Sequence, residues 1–294
     1  MTTAIETSGL TKDHGSGRGI FDLDLAVREG EAFGFLGPNG AGKTTTIKVL
    51  MGVSRATRGT ARIFGRDSAR DAVALKRRIG HVPGELPQFG GWRGAEIVGY
   101  VSGLRGDLPE ASVRTIAERL DLDLGRRYRE YSHGNKQKLA LLLAFAPAPP
   151  LLIVDEPTTG LDPLHQQVFH ALVREAKARG ATIFISSHVL SEVEQVCDRV
   201  GIVRDGRLVT VGPLAELAGM KVHHLTIDFA GPVPLERLRA VSGLERLSVD
   251  GGQVRGVYRG SFEPLLAALA GSAVRTFASR EPSLEEVFLG YYSG

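Results

Sequence analysis

The sequence predicts an α/β fold with a mostly parallel sheet and an all-helical insertion, followed by a small α+β module. Three observations carry this. Short apolar runs, EAFGFL at 31–36, LLIV at 151–154 and TIFI at 182–185, read as strands buried on both faces. Helical patterns lie between them, for example Leu164 to Arg179, and strands alternating with helices argue for a parallel sheet. The stretch from about Gly90 to Tyr131 reads as helices only, which makes it an insertion in the α/β core.

Composition fits this fold. The chain has 294 residues, 43% hydrophobic and 23% charged, which is ordinary for globular domains and excludes a disordered or collagen-like chain. The longest uncharged stretch, between Lys138 and Asp155, is interrupted by Pro147, Pro149 and Pro150 and is too short for a bilayer span, which needs about 20 apolar residues. Met1 to Leu10 lacks a basic segment followed by an apolar one, so no signal peptide is expected and the chain is expected to be cytosolic. The single cysteine, Cys197, excludes an internal disulfide and a Cys-rich metal site; it reads as a core residue within a helix. A net charge of +3 without a dense basic run argues against nucleic acid as the main partner.

Taken in order, the strand at 31–36 runs into a Gly-rich turn and a helix from about Lys43 to Met51. RIGHV at 78–82 is a further strand. Pro213 suits the first turn of a helix reaching Leu217, and a domain boundary is expected near Ala218 to Val222. This divides the chain into 1–218 and 219–294, with the helical subdomain at about 90–131. Beyond the boundary come strand 223–229, helix 235–241, strands 244–249 and 253–258, helix 262–270 and strand 274–278. That βαββαβ order suits a ferredoxin-like module. A last helix is expected from Ser283, with Glu286 completing a capping box.

Residues 37–44, GPNGAGKT, fit GxxxxGK[ST] between a strand and a helix, the context in which this pattern cradles phosphate. Gly37, Gly40 and Gly42 let the chain curl without a Cβ in the way, so that the backbone of Gly37, Pro38, Asn39, Gly40, Ala41 and Gly42 wraps phosphate oxygens. The N-terminus of the following helix adds favourable partial charge. Lys43 neutralises the β- and γ-phosphates, the Thr44 hydroxyl suits Mg²⁺, and Thr45 follows on the same turn. The strand LLIV ends in Asp155 and Glu156. Carboxylates directly after a buried strand rarely serve packing: Asp155 suits the metal, and Glu156 is placed to orient or deprotonate attacking water.

Here the chain resembles a known family. DEPTTGLDP at 155–163 is similar to the Walker B segment and D-loop of ATP-binding cassette (ABC) ATPases, and the phosphate loop fits the same family. YSHGNKQK at 131–138 resembles the family signature LSGGQ, and His188 in ISSHVL matches the switch histidine. The motifs stand in the family's order across about residues 5–215. The resemblance implies a P-loop ABC-type ATPase domain with an α-helical subdomain, and two such domains enclosing two Mg·ATP. Each ATP would lie on one subunit's phosphate loop and be closed by Ser132, Gly134 and Asn135 of the other. Asp162 resembles the aspartate that crosses the interface, and it also suits a helix N-cap before Pro163. His188 would contact the γ-phosphate. The whole chain resembles exporter ATPase subunits that pair with ABC-2-type permeases, including drug and antibiotic exporters, which implies a place at the cytoplasmic face of the membrane held by the permease.

The chain departs from the family pattern at four places. His133 replaces the usual signature glycine and Asn135 the glutamine. Gly84 stands where the Q-loop glutamine is usual, so Glu85, Gln88 or neither takes its role. His14, in TKDHG, stands at the position of the adenine-stacking tyrosine; an imidazole still stacks, over less area. Trp92 and Tyr100, in the region that receives the permease's coupling helix, are either contact residues or core of the helical subdomain. Two other functions stay open: a soluble ABC protein acting on nucleic acid or ribosomes, and a nucleotide-gated regulator with little turnover. A single phosphate loop, with no long charged linker and no coiled-coil arm, argues against the first. Glu156 and His188 argue against the second.

Overall fold

A computed structural model describes residues 2–106, 108–214 and 222–280. The chain divides into two compact units, Met1–Leu214 and Ala215–Gly294. Residues 218–221 of the expected boundary lie outside the described residues, as does the expected helix from Ser283.

The first unit holds two sheets. The larger contains β3 (Ala32–Leu36), β6 (Ile79–Val82), β7 (Leu151–Asp155), β8 (Thr182–Ser187), β9 (Arg199–Arg204) and β10 (Arg207–Pro213), in the order β10-β9-β3-β8-β7-β6. All neighbours are parallel except the β9–β10 hairpin. β3 and β7 are buried at every position, as uninterrupted apolar runs require when helices cover both faces. Phe184 stacks on Phe33 at 5.9 Å and meets Phe35 at 5.4 Å between ring centroids, tying β8 to β3 through side chains as well as the ladder.

The second sheet was not anticipated. It contains β1 (Thr3–Asp13), β2 (Gly19–Arg28), β4 (Arg58–Ile63) and the two-residue β5 (Arg66–Asp67), in the order β2-β1-β4-β5, antiparallel throughout. Ile5, Leu10, Ile20, Leu23, Leu25 and Val27 join the same core as Phe33, Phe35 and Ile47.

The helices are α1 (Lys43–Leu50), α2 (Ala72–Lys76), α3 (Gly94–Arg105), α4 (Glu110–Arg119), α5 (His133–Phe145), α6 (Pro163–Ala178) and α7 (Leu190–Glu194). Between residues 90 and 131 the described elements are α3, α4 and a 3₁₀ turn at Tyr128–Glu130, with an isolated bridge between Arg93 and Arg127. Two readings need correction. Pro213 is the last residue of β10, paired with Arg199, instead of lying in the first turn of a helix; Leu214, directly after it, is helical, and residues 215–221 lie outside the described residues. Cys197 follows α7 instead of lying within a helix. It is buried, and burial pushes its thiol pKa up, as a core role requires.

The second unit contains β11 (Val222–Phe229), α8 (Leu235–Arg239), β12 (Leu244–Asp250), β13 (Gln253–Arg259), α9 (Phe262–Leu269) and β14 (Val274–Arg280). Its antiparallel sheet has the order β12-β13-β11-β14, the ferredoxin-like arrangement of a βαββαβ chain. Leu225, Ile227, Val254 and Tyr258 face Leu238, Leu265 and Leu269 in its own core.

Candidate functional site

Parallel strands β3, β6, β7 and β8 deliver their C-terminal ends to one edge of the large sheet, where open α/β folds place ligand sites. Residues 37–42 follow β3 and lead into α1. Gly42 caps that helix at φ 102°, and a Cβ there would stand 2.6 Å from Ile20 Cγ2, so both backbone angle and packing require glycine. Asn39 and Gly40 are exposed at the tip, and Ala41 is buried beneath it. Lys43 is buried: its Nζ donates to the carbonyls of Gly37 at 2.6 Å and Pro38 at 3.2 Å, and lies 3.2 Å from Glu156 Oε1. Thr44 Oγ1 donates to Asp155 Oδ2 at 2.8 Å, and half-buried Thr45 follows on the same turn.

The two carboxylates ending β7 have different surroundings. Asp155 is 1% exposed, and its second oxygen accepts from Ser186 Oγ on β8. Glu156 has φ +48°, a left-handed conformation that non-glycine residues seldom hold without a compensating contact. Its N–H is held by the carbonyl and hydroxyl oxygens of Ser186, both at 3.2 Å. Its Oε2 accepts from His188 Nδ1 at 2.7 Å. Its Oε1 is buried, with the Lys43 charge nearby but no hydrogen-bond donor in line, which leaves lone pairs for a proton or a water. Lys43, Thr44, Asp155, Glu156 and His188 therefore form one connected cluster.

The signature residues form a second cluster. Ser132 caps α5, accepting from Asn135 N at 3.2 Å, so Ser132, His133, Gly134 and Asn135 occupy its first turn. The His133 ring lies on Gly160, where a Cβ would stand 2.4 Å from its Cδ2, and a Cβ on Gly134 would stand 2.7 Å from the Gly160 carbonyl oxygen. Asp162 caps α6, accepting from His165 N at 3.0 Å and from His165 Nδ1 at 2.7 Å. The backbone bond first, then the ring, lowers the Asp162 pKa. Gln137 links the clusters: it is buried on α5 and donates to the carbonyl of Pro157 at 2.9 Å.

Three expected residues stand apart from these clusters. His14 is exposed in the β1–β2 turn, its N–H bonded to the Arg18 carbonyl at 2.9 Å. Glu85 is 87% exposed, and its charged partner is Lys48 on α1 at 3.9 Å. Gln88 is exposed, and its side chain donates to the Leu86 carbonyl at 3.5 Å. Gly84 abuts the site itself: a Cβ there would stand 2.7 Å from Asp155 Oδ2. Trp92 and Tyr100 are 46% and 51% exposed and meet edge to face at 5.5 Å, which excludes the core reading. Sequence reasoning missed Ser186, Gln137, Thr158 and Glu192; their signal, a polar residue inside an apolar run or helix, is indistinguishable from an incidental one until the partners are known.

The family model for the ABC transporter matches residues 20–159. A Nod factor export ATP-binding protein I from Paraburkholderia xenovorans (strain LB400) is 33% identical over 291 residues, covering 97% of this chain and 96% of the relative. The chain belongs to the ABC transporter ATP-binding family. A bacitracin transport ATP-binding protein BcrA from Bacillus licheniformis is 38% identical over 223 residues, 74% of this chain and 72% of the relative. A solved structure described as an ATP-binding subunit of an ABC transporter superposes with a TM-score of 0.68 at 31% identity, covering 74% of this chain and 92% of the other. This ABC protein is an ATPase: it binds ATP and hydrolyses it. No helix among its described residues is long and apolar enough to cross a membrane.

Proposed function

We propose that the chain is the ATP-hydrolysing subunit of an exporter, dimerising around two Mg·ATP and driving separate ABC-2-type permease subunits at the cytoplasmic face of the membrane. The connected cluster Lys43–Glu156–His188 at the C-terminal edge of the sheet carries the reading. Glu156 takes a proton from water as its oxygen attacks the γ-phosphorus and the bond to the β–γ bridging oxygen breaks, releasing ADP. Oε1, which faces the Lys43 ammonium at 3.2 Å and accepts no aligned hydrogen bond, is the oxygen we assign to receive that proton. Lys43 neutralises charge on the β- and γ-phosphates. His188 Nδ1 donates a hydrogen bond to Glu156 Oε2, so Nε2 donates to a phosphate oxygen only when the ring carries a proton on both nitrogens. Thr44 and Asp155 present hard oxygens 2.8 Å apart, a donor chemistry that fits Mg²⁺. When bound, the cation neutralises phosphate charge.

Two alignments support the exporter part: relatives named for Nod factor export and for bacitracin transport. The same likeness supports an amphiphilic cargo, such as a drug or antibiotic. A cleft of about 310 Å³ between the segment after β6, α3 and α5, lined by Pro83, Leu86, Val101, Leu139 and Leu143, is the proposed seat of a permease helix. Trp92, Tyr100 and Leu104 stand exposed in the same helical region. In the dimer, Ser132, Gly134 and Asn135 would close the partner's ATP through the N-terminus of α5, Asp162 would cross the interface, and His14 would stack on adenine. The test is Glu156→Gln purified from its native host with Mg·ATP in mild detergent. A multi-span membrane protein in stoichiometric amount is expected; recovery alone, or with ribosomes or DNA, overturns the exporter reading.

A further inference from the structure

Glu192 lies on α7, four residues beyond His188. Its carboxylate takes two hydroxyls at once: Oε1 accepts from Thr158 Oγ1 at 2.6 Å, and Oε2 accepts from Ser187 Oγ at 2.9 Å. Thr158 is 5% exposed and Ser187 fully buried, so each hydroxyl would be left without a strong acceptor if Glu192 were removed. Only an ionised carboxylate accepts from both in this way; an amide has one accepting atom.

What these hydroxyls belong to decides the significance. Thr158 lies two residues past Glu156, on the segment that leads to Asp162, and its carbonyl accepts from Leu161 N at 3.0 Å. Ser187 immediately precedes His188. Its hydroxyl accepts from Val189 N at 2.9 Å, which shapes the turn around His188, and its carbonyl accepts from Gly37 N of the phosphate loop at 3.3 Å. One side chain thus joins the segment following the general base to the turn that carries the switch histidine. Charge-assisted bonds of this length are the stronger kind, and a doubly anchored carboxylate has little rotamer freedom.

We propose that Glu192 is a positioning residue that sets His188 against Glu156, governing turnover while leaving ATP affinity alone. The proposal rests on the role of His188 stated above. It predicts that the Thr158 segment and the His188 turn move as one unit.

The test uses the full chain, with Mg·ATP as the probe, and reads steady-state kcat and KM for Glu192→Gln, Thr158→Val, Ser187→Ala and His188→Ala, and for Glu192→Gln combined with His188→Ala. The Gln, Val and Ala replacements are close in shape, and melting temperatures check that each variant folds. Glu192→Gln and Thr158→Val are expected to lower kcat about tenfold, the scale of one charge-assisted bond, with KM changed less than about twofold. In the His188→Ala background, Glu192→Gln is expected to add less than about a twofold loss, because it acts through that ring. Wild-type turnover in Glu192→Gln and Thr158→Val, while His188→Ala has lost activity, overturns the proposal. So do losses that multiply in the double variant. Wild-type turnover in His188→Ala is a separate result: it removes the role assigned to His188, and the role of Glu192 falls with it.

Discussion

Asp155 closes one parallel strand and Glu85 lies just past another of the same sheet; both are candidates for metal or water, yet the structure treats them differently. Asp155 is the last residue of β7, 1% exposed, with Thr44 on one oxygen and Ser186 on the other. Glu85 is three residues past β6, 87% exposed, with a loose ion pair to Lys48. A strand end fixes direction and register, so a carboxylate there meets partners from neighbouring strands. Three residues further on, the backbone has left the ladder and only local contacts hold the side chain.

The largest effect that sharpens this contrast is expected at Glu156, next to Asp155. Glu156→Gln should lower kcat by about 10²–10⁴-fold, the usual worth of a positioned general base, while ATP binding measured by equilibrium titration persists. Turnover near wild type would remove Glu156 as the base.

Gly84 is the next test, because it lies between the two regions. Gly84→Ala places a Cβ 2.7 Å from Asp155 Oδ2, which can move only by giving up its bond to Thr44. Turnover should fall about tenfold, with a raised Mg²⁺ requirement in a metal titration. An unchanged Mg²⁺ dependence would mean that Asp155 moves aside without consequence.

A smaller effect concerns stability. Burial lowers the pKa of His81 on β6, although the Ile153 carbonyl and Asp155 pull the other way, and burial also lowers that of His170 on α6. The folded state therefore binds fewer protons than the unfolded chain. This stabilising contribution is present above the ordinary histidine pKa of about 6.5 and is lost as pH falls below it. Melting temperature should drop between pH 7.5 and 5.5, and His81→Asn should flatten that slope; an equal slope in wild type and variant would assign the loss to other groups. The smallest effect is expected at Glu85. An exposed pair contributes about 0–1 kcal/mol, so Glu85→Ala should change both turnover and stability little. A tenfold loss of turnover would instead bring Glu85 to the metal or the water.

Legibility followed the same division. The strands at 31–36, 151–154 and 182–185 were readable because burial on both faces leaves uninterrupted apolar runs. β2 carries a period-2 signal only from Leu23 on, where buried Leu23, Leu25 and Val27 alternate with exposed Asp24, Ala26 and Arg28, while buried Ile20 stands out of that register. β10 was harder, since its residues are mostly half-buried and a terminal proline resembles a helix start. The βαββαβ order of the second unit was readable because each strand is bounded by Gly, Pro or Ser.

By itself the sequence determined which atoms are available: the glycines, lysine and threonine of residues 37–44, the carboxylates closing β7, and the histidine one residue past β8. These follow from chemistry that tolerates few other residue types and from strands that place them without help. Only the tertiary structure decided which oxygen of Glu156 is left without a donor, that Ser186 holds both Asp155 and the Glu156 backbone, that His133 lies on Gly160, and that Glu85 faces Lys48. Most of those facts depend on partners about 25 to 40 residues away in sequence, and the Lys43 charge beside Glu156 Oε1 comes from more than 100 residues away. A hydroxyl or a carboxylate carries no mark of its partner until packing brings the two within bonding distance.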